Sequence, residues 1–204
     1  MSATISKLQK QQDCPFNSGT LELHDTFFDQ QQADILMQQL IAENHWNHGE
    51  YVIAGRCFIM PRWQTWYADL CIIYNFSYEL HQRRDWTPEL LMLKQQVEHQ
   101  CQHKFNSVLV NYYRNGKDWV DWHSDDDVEL GQAPVIASVS FGINRKFCYR
   151  HKNSGNMNFI DLKNGSLLIM KPSFQQYWQH SITRAPEINL PRINLTFRQV
   201  VMPG

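Results

Sequence analysis

From Phe105 to the C-terminus the sequence breaks into short runs of β-branched and aromatic residues, each closed by a turn signal. The runs are Phe105–Tyr113, Pro134–Phe141, Lys146–His151, Met157–Asp161, Ser166–Met170, Gln176–Ser181 and Arg192–Val201. Asn115-Gly116 and Asn164-Gly165 are turn dipeptides, and Ser154-Gly155-Asn156 reads as a hairpin tip. Short strands at hairpin spacing bury their apolar faces by closing into a sandwich or barrel, and the jelly roll is one such arrangement.

Upstream, two segments carry helical periodicity. Between about Asp29 and Ala42, Ala33, Leu36, Met37, Leu40 and Ile41 recur at helical spacing behind Asp29 as N-cap. Between about Thr87 and His103, Thr87 caps, Pro88 takes the first helical position, and Leu90, Leu91, Val97 and Cys101 fall on or near one stripe. The expected architecture is α+β: a β-sandwich core with the two helices packed on one sheet. Residues 1 to about 20 are polar and Gln-rich and are expected to form a flexible segment, leaving 21–204 as one domain.

A formal net charge of -1 excludes a polycation, so nucleic-acid affinity would need a local basic patch. Arg83 with Arg84, and Arg145 with Lys146 and Arg150, are the candidates, with solvated surface charges as the alternative. Five scattered cysteines without a CxxC pair point to reduced thiols. With no apolar leader and no membrane-length apolar run, the expected home is cytoplasmic, or nuclear in a eukaryote, and the expected state a monomer. Seven Trp, eight Tyr and eleven Phe provide many flat surfaces, for a core or for a planar ligand.

The most polar stretch in the β region is Trp119–Asp127. His123 and Asp125 stand two apart, on one side of an extended chain. HxD alone does not define a site; a third ligand must come from another strand, and His180 lies in one. Two His and one carboxylate on one face leave three metal positions open, as in non-haem iron(II) oxygenases. In the last run, alternation sets Ile193, Leu195 and Phe197 on one face and Arg192, Asn194, Thr196 and Arg198 on the other. Two arginines inside a sandwich are costly unless anions meet them, and a small dicarboxylate would meet both. An edge strand with solvated arginines is the alternative. Asn111 and Tyr113 share a face on the strand leading to HxD and could bind the same anion or backbone groups.

Taken together, Asn111-x-Tyr113, His123-Ser-Asp125, His180 and Arg192-x-Asn194-x-Thr196-Phe197-Arg198 resemble the AlkB family of 2-oxoglutarate-dependent dioxygenases. Pro61-Arg62, Tyr74-Asn-Phe-Ser77 and Ala137-Ser-Val-Ser-Phe-Gly142 match as well, and the likeness spans roughly residues 50 to 200. It is greatest to the branch containing the animal nuclear repair members. The resemblance implies a double-stranded β-helix (jelly-roll) core and iron(II) held by His123, Asp125 and His180. It implies that 2-oxoglutarate is bound by Arg192 with Arg198, Asn194, Asn111 and Tyr113, and that O2 is the second cosubstrate. The implied reaction is hydroxylation of an N-methyl group on a damaged base, followed by loss of formaldehyde. The base must be flipped out or single-stranded. By analogy Phe76 stacks on one side of it, the His123 ring helps on the other, Tyr74 lines the pocket, and Asp127 favours cationic 1-methyladenine and 3-methylcytosine. Arg62 is expected at a phosphate or the pocket rim, Arg83, Arg84, Arg145 and Lys171 are weaker phosphate candidates, and Asp126 is expected to orient backbone or an arginine.

The expected substrate is alkylated DNA, with RNA as a further nucleic acid. Two other readings stand beside it: a 2-oxoglutarate oxygenase acting on protein or a small metabolite, and a binding module that has lost catalysis. The intact triad and both arginines oppose the last. Tyr51–Ile59 is expected to be a strand-turn-strand, with a duplex-opening wedge as the alternative.

Overall fold

A computed structural model describes residues 20–201, apart from 44, 45, 48, 54, 71 and 73–82. The proposed flexible segment 1–20 therefore lies outside the described residues except for Thr20, and Tyr74 and Phe76 lie outside them too.

The molecule is mostly β-sheet. Six strands form the larger sheet in the order β1 (Leu21–His24), β10 (Ser166–Met170), β7 (Ile136–Gly142), β12 (Arg192–Arg198), β5 (Ser107–Tyr113) and β4 (Trp63–Ala68). Four form the smaller sheet: β6 (Val120–His123), β11 (Trp178–Ile182), β8 (Arg145–His151) and β9 (Met157–Leu162). Every pairing is antiparallel. β2 (Glu50–Ile53) and β3 (Arg56–Ile59) form a separate hairpin, a strand-turn-strand as expected, with Gly55 at φ 75° in its turn.

Period-2 alternation decides what each face of the larger sheet meets. Ile193, Leu195 and Phe197 of β12, with Val108 and Val110 of β5 and Val139 and Phe141 of β7, join one buried cluster. That cluster also contains Ala33 and Leu40 of α1 (Gln30–Glu43) and Leu90, Leu93 and Val97 of α2 (Pro88–Cys101). A second cluster lies between the sheets: Leu109, Ile136 and Leu168 from the larger meet Phe147, Tyr149, Trp178 and Ile182 from the smaller.

Both helices begin where their caps predict. Asp29 Oδ1 accepts from the Gln32 amide at 2.8 Å while Gln32 Oε1 accepts from the Asp29 amide, a reciprocal cap. Thr87 Oγ1 accepts from the Leu90 amide at 3.2 Å. α2 stops short of His103 because Gln102 takes a left-handed conformation, φ 49°. On α2 the inward stripe is Leu90, Leu93, Val97 and Cys101; Leu91, one position off it, is exposed.

The loops at one end of the sandwich are tied through Gly116. Its amide donates to the Ile188 carbonyl at 2.7 Å, and its carbonyl accepts from the Ala185 amide at 2.8 Å. A Cβ at this position would stand 1.7 Å from the Ala185 carbonyl oxygen. Gly116→Ala is expected to lower stability by about 3 kcal/mol, because backbone rather than a flexible side chain must move. Chemical denaturation would show it as a lower midpoint with an unchanged slope.

Candidate metal and cosubstrate centre

The polar face of β12 and the inward residues of β5, β6 and β11 enclose one cavity of about 270 Å³. His123 ends β6 and pairs across the ladder with His180 of β11, which sets both rings on the inner side. Their centroids are 4.2 Å apart. Asp125 follows two residues on, where Gln175 Oε1 accepts from its amide at 2.9 Å and Ser124 Oγ donates to the Trp178 carbonyl. His123 Nε2 lies 4.0 Å from Asp125 Oδ1, and His180 Nε2 lies 3.9 Å from Asp125 Oδ2. One ligand atom from each residue falls within 4.8 Å of the others, close enough for a single ion to touch all three.

The remaining contacts fix the donor set. His123 Nδ1 is 2.8 Å from the Asp121 carbonyl oxygen; that contact puts a proton on Nδ1 and leaves Nε2 as the ring nitrogen facing the cluster. The His180 ring is held by packing, stacked on Phe147 at 5.1 Å and 22°. Asp125 Oδ1 accepts from Arg198 Nη2 at 2.8 Å, whereas Asp125 Oδ2 is buried and meets no donor among the described residues. A buried carboxylate oxygen without a donor is costly, and a cation is the partner that this geometry accommodates.

The protonation states agree with that fit. Burial drives the His180 pKa down from 6.5 to about 3, with His123 adding to the fall and Asp125 opposing it, so the imidazole is neutral and able to ligate. Burial alone would raise the Asp125 carboxyl, but Arg198, His180 and His123 outweigh it and hold its pKa at about 2. Both groups take up protons more readily in the unfolded chain. The metal-free protein is therefore expected to lose stability as pH falls below 6.5, first through His180 and then, below 3.8, through Asp125. Thermal melts of chelator-treated protein at pH 7.5 and 5 would show it as a lower Tm at pH 5.

Beyond the His-Asp-His group lies a polar wall. Arg192 is 1% exposed, and its Nη2 donates to Ser140 Oγ at 2.9 Å. Its Nε and Nη1 meet no acceptor among the described residues. Burial pulls its pKa down to about 10, against the opposing influence of Tyr113. A guanidinium buried with open donors at a cavity wall suits a carboxylate ligand. Asn194 Nδ2 donates to Ser138 Oγ at 2.7 Å, and Thr196 Oγ1 donates to Asn194 Oδ1 at 2.9 Å. Asn111 Oδ1 accepts from Arg62 Nε at 2.9 Å and from Gln64 Nε2 at 2.8 Å, so Arg62 is anchored on the cavity wall. Tyr113 lines the same cavity, and Asp127, exposed, stands at its edge.

A family model described as the 2OG-Fe(II) oxygenase superfamily matches residues 20–198. The chain belongs to that superfamily. Within it the relatives are AlkB proteins. Bovine alpha-ketoglutarate-dependent dioxygenase alkB homolog 3 is 40% identical over 85% of this chain and 64% of its own length. The human alkB homolog 3 is 37% identical over 87% and 65%. Human DNA oxidative demethylase ALKBH2 is 33% identical over 88% of this chain and 73% of its own. This chain thus spans just under two thirds of the alkB homolog 3 proteins that it matches. The solved structure of OsALKBH1 superposes with a TM-score of 0.62 at 19% identity, covering 88% of this chain and 98% of that one, and supports the fold.

Membership of the 2OG-Fe(II) oxygenase superfamily makes iron(II), 2-oxoglutarate and O2 the cofactor and cosubstrates, and the His123, Asp125 and His180 cluster could hold the metal. The structure gathers Asn111, Tyr113, Arg192, Asn194, Arg198, Arg62 and Asp127 around that cluster in one cavity. Other expectations need correction. Arg145 is 2% exposed and bound to three backbone carbonyls, so it offers no surface charge for phosphate. Asp126 pairs with Lys152 rather than with an arginine. Ser138, Ser140, Gln64 and Gln175 were not singled out from sequence. The alternating serines of Ala137–Gly142 signalled a polar inner face, whereas nothing local marked the two glutamines.

Proposed function

We propose that this protein is an oxidative demethylase of N-alkylated bases of the 1-methyladenine and 3-methylcytosine type in DNA, and that RNA is a further substrate. The single observation that carries the reading is one cavity joining a His-Asp-His donor set to a buried arginine with open donors. The relatives named as AlkB dioxygenases and DNA oxidative demethylases support the choice of substrate.

When bound, iron(II) with 2-oxoglutarate and O2 supplies hydroxylation of a C–H bond coupled to decarboxylation of the cosubstrate. The chain's residues position and shield that chemistry. His123, Asp125 and His180 hold the metal. Arg192 takes the distal carboxylate of 2-oxoglutarate, with Asn194, Asn111, Tyr113 and Arg198 completing its pocket. Arg198 also fixes Asp125 through their 2.8 Å contact. Leu109, Phe147 and Ile182 form apolar cavity wall and limit water near the oxidant. A hydroxymethyl group on a ring nitrogen collapses by itself to formaldehyde, so no protein acid is required for the second step.

On the substrate side the base lies next to the His123 ring, a reading supported by His123 being the most exposed of the three ligands. Asp127 at the cavity edge meets a cationic base. The family resemblance assigns the flat walls to Tyr74 and Phe76, which lie outside the described residues, and Arg62 fixes the rim. The protein acts as a monomer in this reading, in the cytoplasm or, in a eukaryote, the nucleus.

Succinate formation tests the choice of substrate. An oligonucleotide carrying 1-methyladenine is expected to raise the rate above that with the unmodified oligonucleotide, on DNA and RNA alike. Equal rates with both would shift the substrate to a protein or small metabolite.

A further inference from the structure

Arg145 opens β8 and is 2% exposed, yet its three hydrogen-bond acceptors are all neutral. Nη2 donates to the Thr183 carbonyl at 2.6 Å and to the Asp118 carbonyl at 2.9 Å, and Nη1 donates to the Asn115 carbonyl at 3.3 Å. Asn115 and Asp118 belong to the loop that feeds β6, the strand ending at His123. Thr183 directly follows β11, the strand carrying His180. One guanidinium therefore ties together the backbones that present both histidines.

Its guanidinium also lies against Tyr113, which lines the cosubstrate pocket. The Arg145 guanidinium lies 5.7 Å from the Tyr113 ring centroid, and that of Arg192 lies 5.2 Å from the same ring. The nearby acids offset this charge only in part: Asp118 is forked by Arg114, Asp125 is bound by Arg198, and Glu187 is exposed, so burial still lowers the Arg145 pKa despite Asp118 and Glu187. Among the described residues neither Arg145 nor Arg192 forms an ion pair with a carboxylate. Two buried positive charges share one tyrosine, and each disfavours the other; Arg145 pulls the Arg192 pKa down further. A pocket whose positive charge is only partly offset prefers a ligand of two negative charges to a ligand of one.

We propose that Arg145 is a positioning residue that, from behind Tyr113, sets the preference of this site for a dicarboxylate 2-oxo acid over a monocarboxylate one. The proposal rests on the reading that Arg192 receives the distal carboxylate. It requires no direct contact between Arg145 and the ligand.

Calorimetric titration of protein loaded with redox-silent Mn(II) tests it. The ligands are 2-oxoglutarate and 2-oxovalerate, which has the same carbon chain without the distal carboxylate. Arg145→Met is expected to weaken 2-oxoglutarate binding about tenfold and to leave 2-oxovalerate within about twofold. Arg145→Lys, which retains a positive charge but loses the planar fork, is expected to keep most of the preference. Equal weakening of both ligands in Arg145→Met would reduce Arg145 to a structural tie and overturn the proposal. If Arg145→Met does not fold, loss of the preference in Arg145→Lys overturns it instead. Arg192→Met separates the two readings. Preference lost there but kept in Arg145→Met overturns the role of Arg145 alone. Preference kept in both overturns the placement of the distal carboxylate as well.

Discussion

Asp125→Ala is expected to abolish turnover and to destabilise the protein in the same step. Its carboxylate is one of the three donors of the candidate metal cluster, and it is the hydrogen-bonded counter-charge of the buried Arg198. Removing one partner of a buried, hydrogen-bonded charge pair costs about 3–5 kcal/mol. Asp125→Asn separates the two effects. It keeps the volume and an acceptor for Arg198, so the stability loss is smaller, but it removes the negative charge next to the metal. Metal affinity in this variant should fall by at least about a hundredfold, read by titration with Mn(II), and turnover with it. Wild-type metal affinity in Asp125→Asn would contradict the ligand assignment.

Arg192→Met is expected to divide binding from stability in the opposite direction. The arginine contacts Ser140 Oγ through Nη2, while Nε and Nη1 find no acceptor among the described residues, so the ligand-free protein carries a desolvated cation that Tyr113 offsets only in part. An apolar side chain of similar length removes that cost, and the ligand-free Tm should be unchanged or higher, by about 1 kcal/mol of stability. The same change should raise the KM for 2-oxoglutarate about a hundredfold, because the distal carboxylate loses its counter-charge, while the KM for nucleic acid stays near wild type. A lower ligand-free stability with an unchanged KM for 2-oxoglutarate would make Arg192 a structural residue.

The face that carries these residues was legible from alternation alone. Ile193, Leu195 and Phe197 went to one side of β12 and Arg192, Asn194, Thr196 and Arg198 to the other, and the two sides meet the apolar cluster and the cavity respectively. The same period placed His123 and Asp125 together, and the antiparallel pairing of β6 with β11 supplied His180. Helix starts were legible because Asp29 and Thr87 are capping residues whose side chains make the bonds their position predicts.

What sequence did not deliver were features set by long-range pairing. β1 and β4 are edge strands defined by their partners β10 and β5; the alternation of β1 runs for only four residues, and β4 shows none. Arg145 looked like surface charge because it stands beside Lys146 and near Arg150. Its burial follows from the strand's inner face and from three carbonyls contributed by loops distant in sequence. Leu91 looked inward because it neighbours Leu90, and one residue on a helix is about 100° of rotation.

Removal of alkyl groups from bases is the reaction proposed for this metal and cosubstrate centre. Formaldehyde release from a single-stranded oligonucleotide bearing one 1-methyladenine, followed with recovery of unmodified adenine, tests it most directly. Release that requires both iron(II) and 2-oxoglutarate, and that stops in Asp125→Asn, is the predicted result. Succinate forming at its full rate with no formaldehyde and no adenine recovered would contradict it.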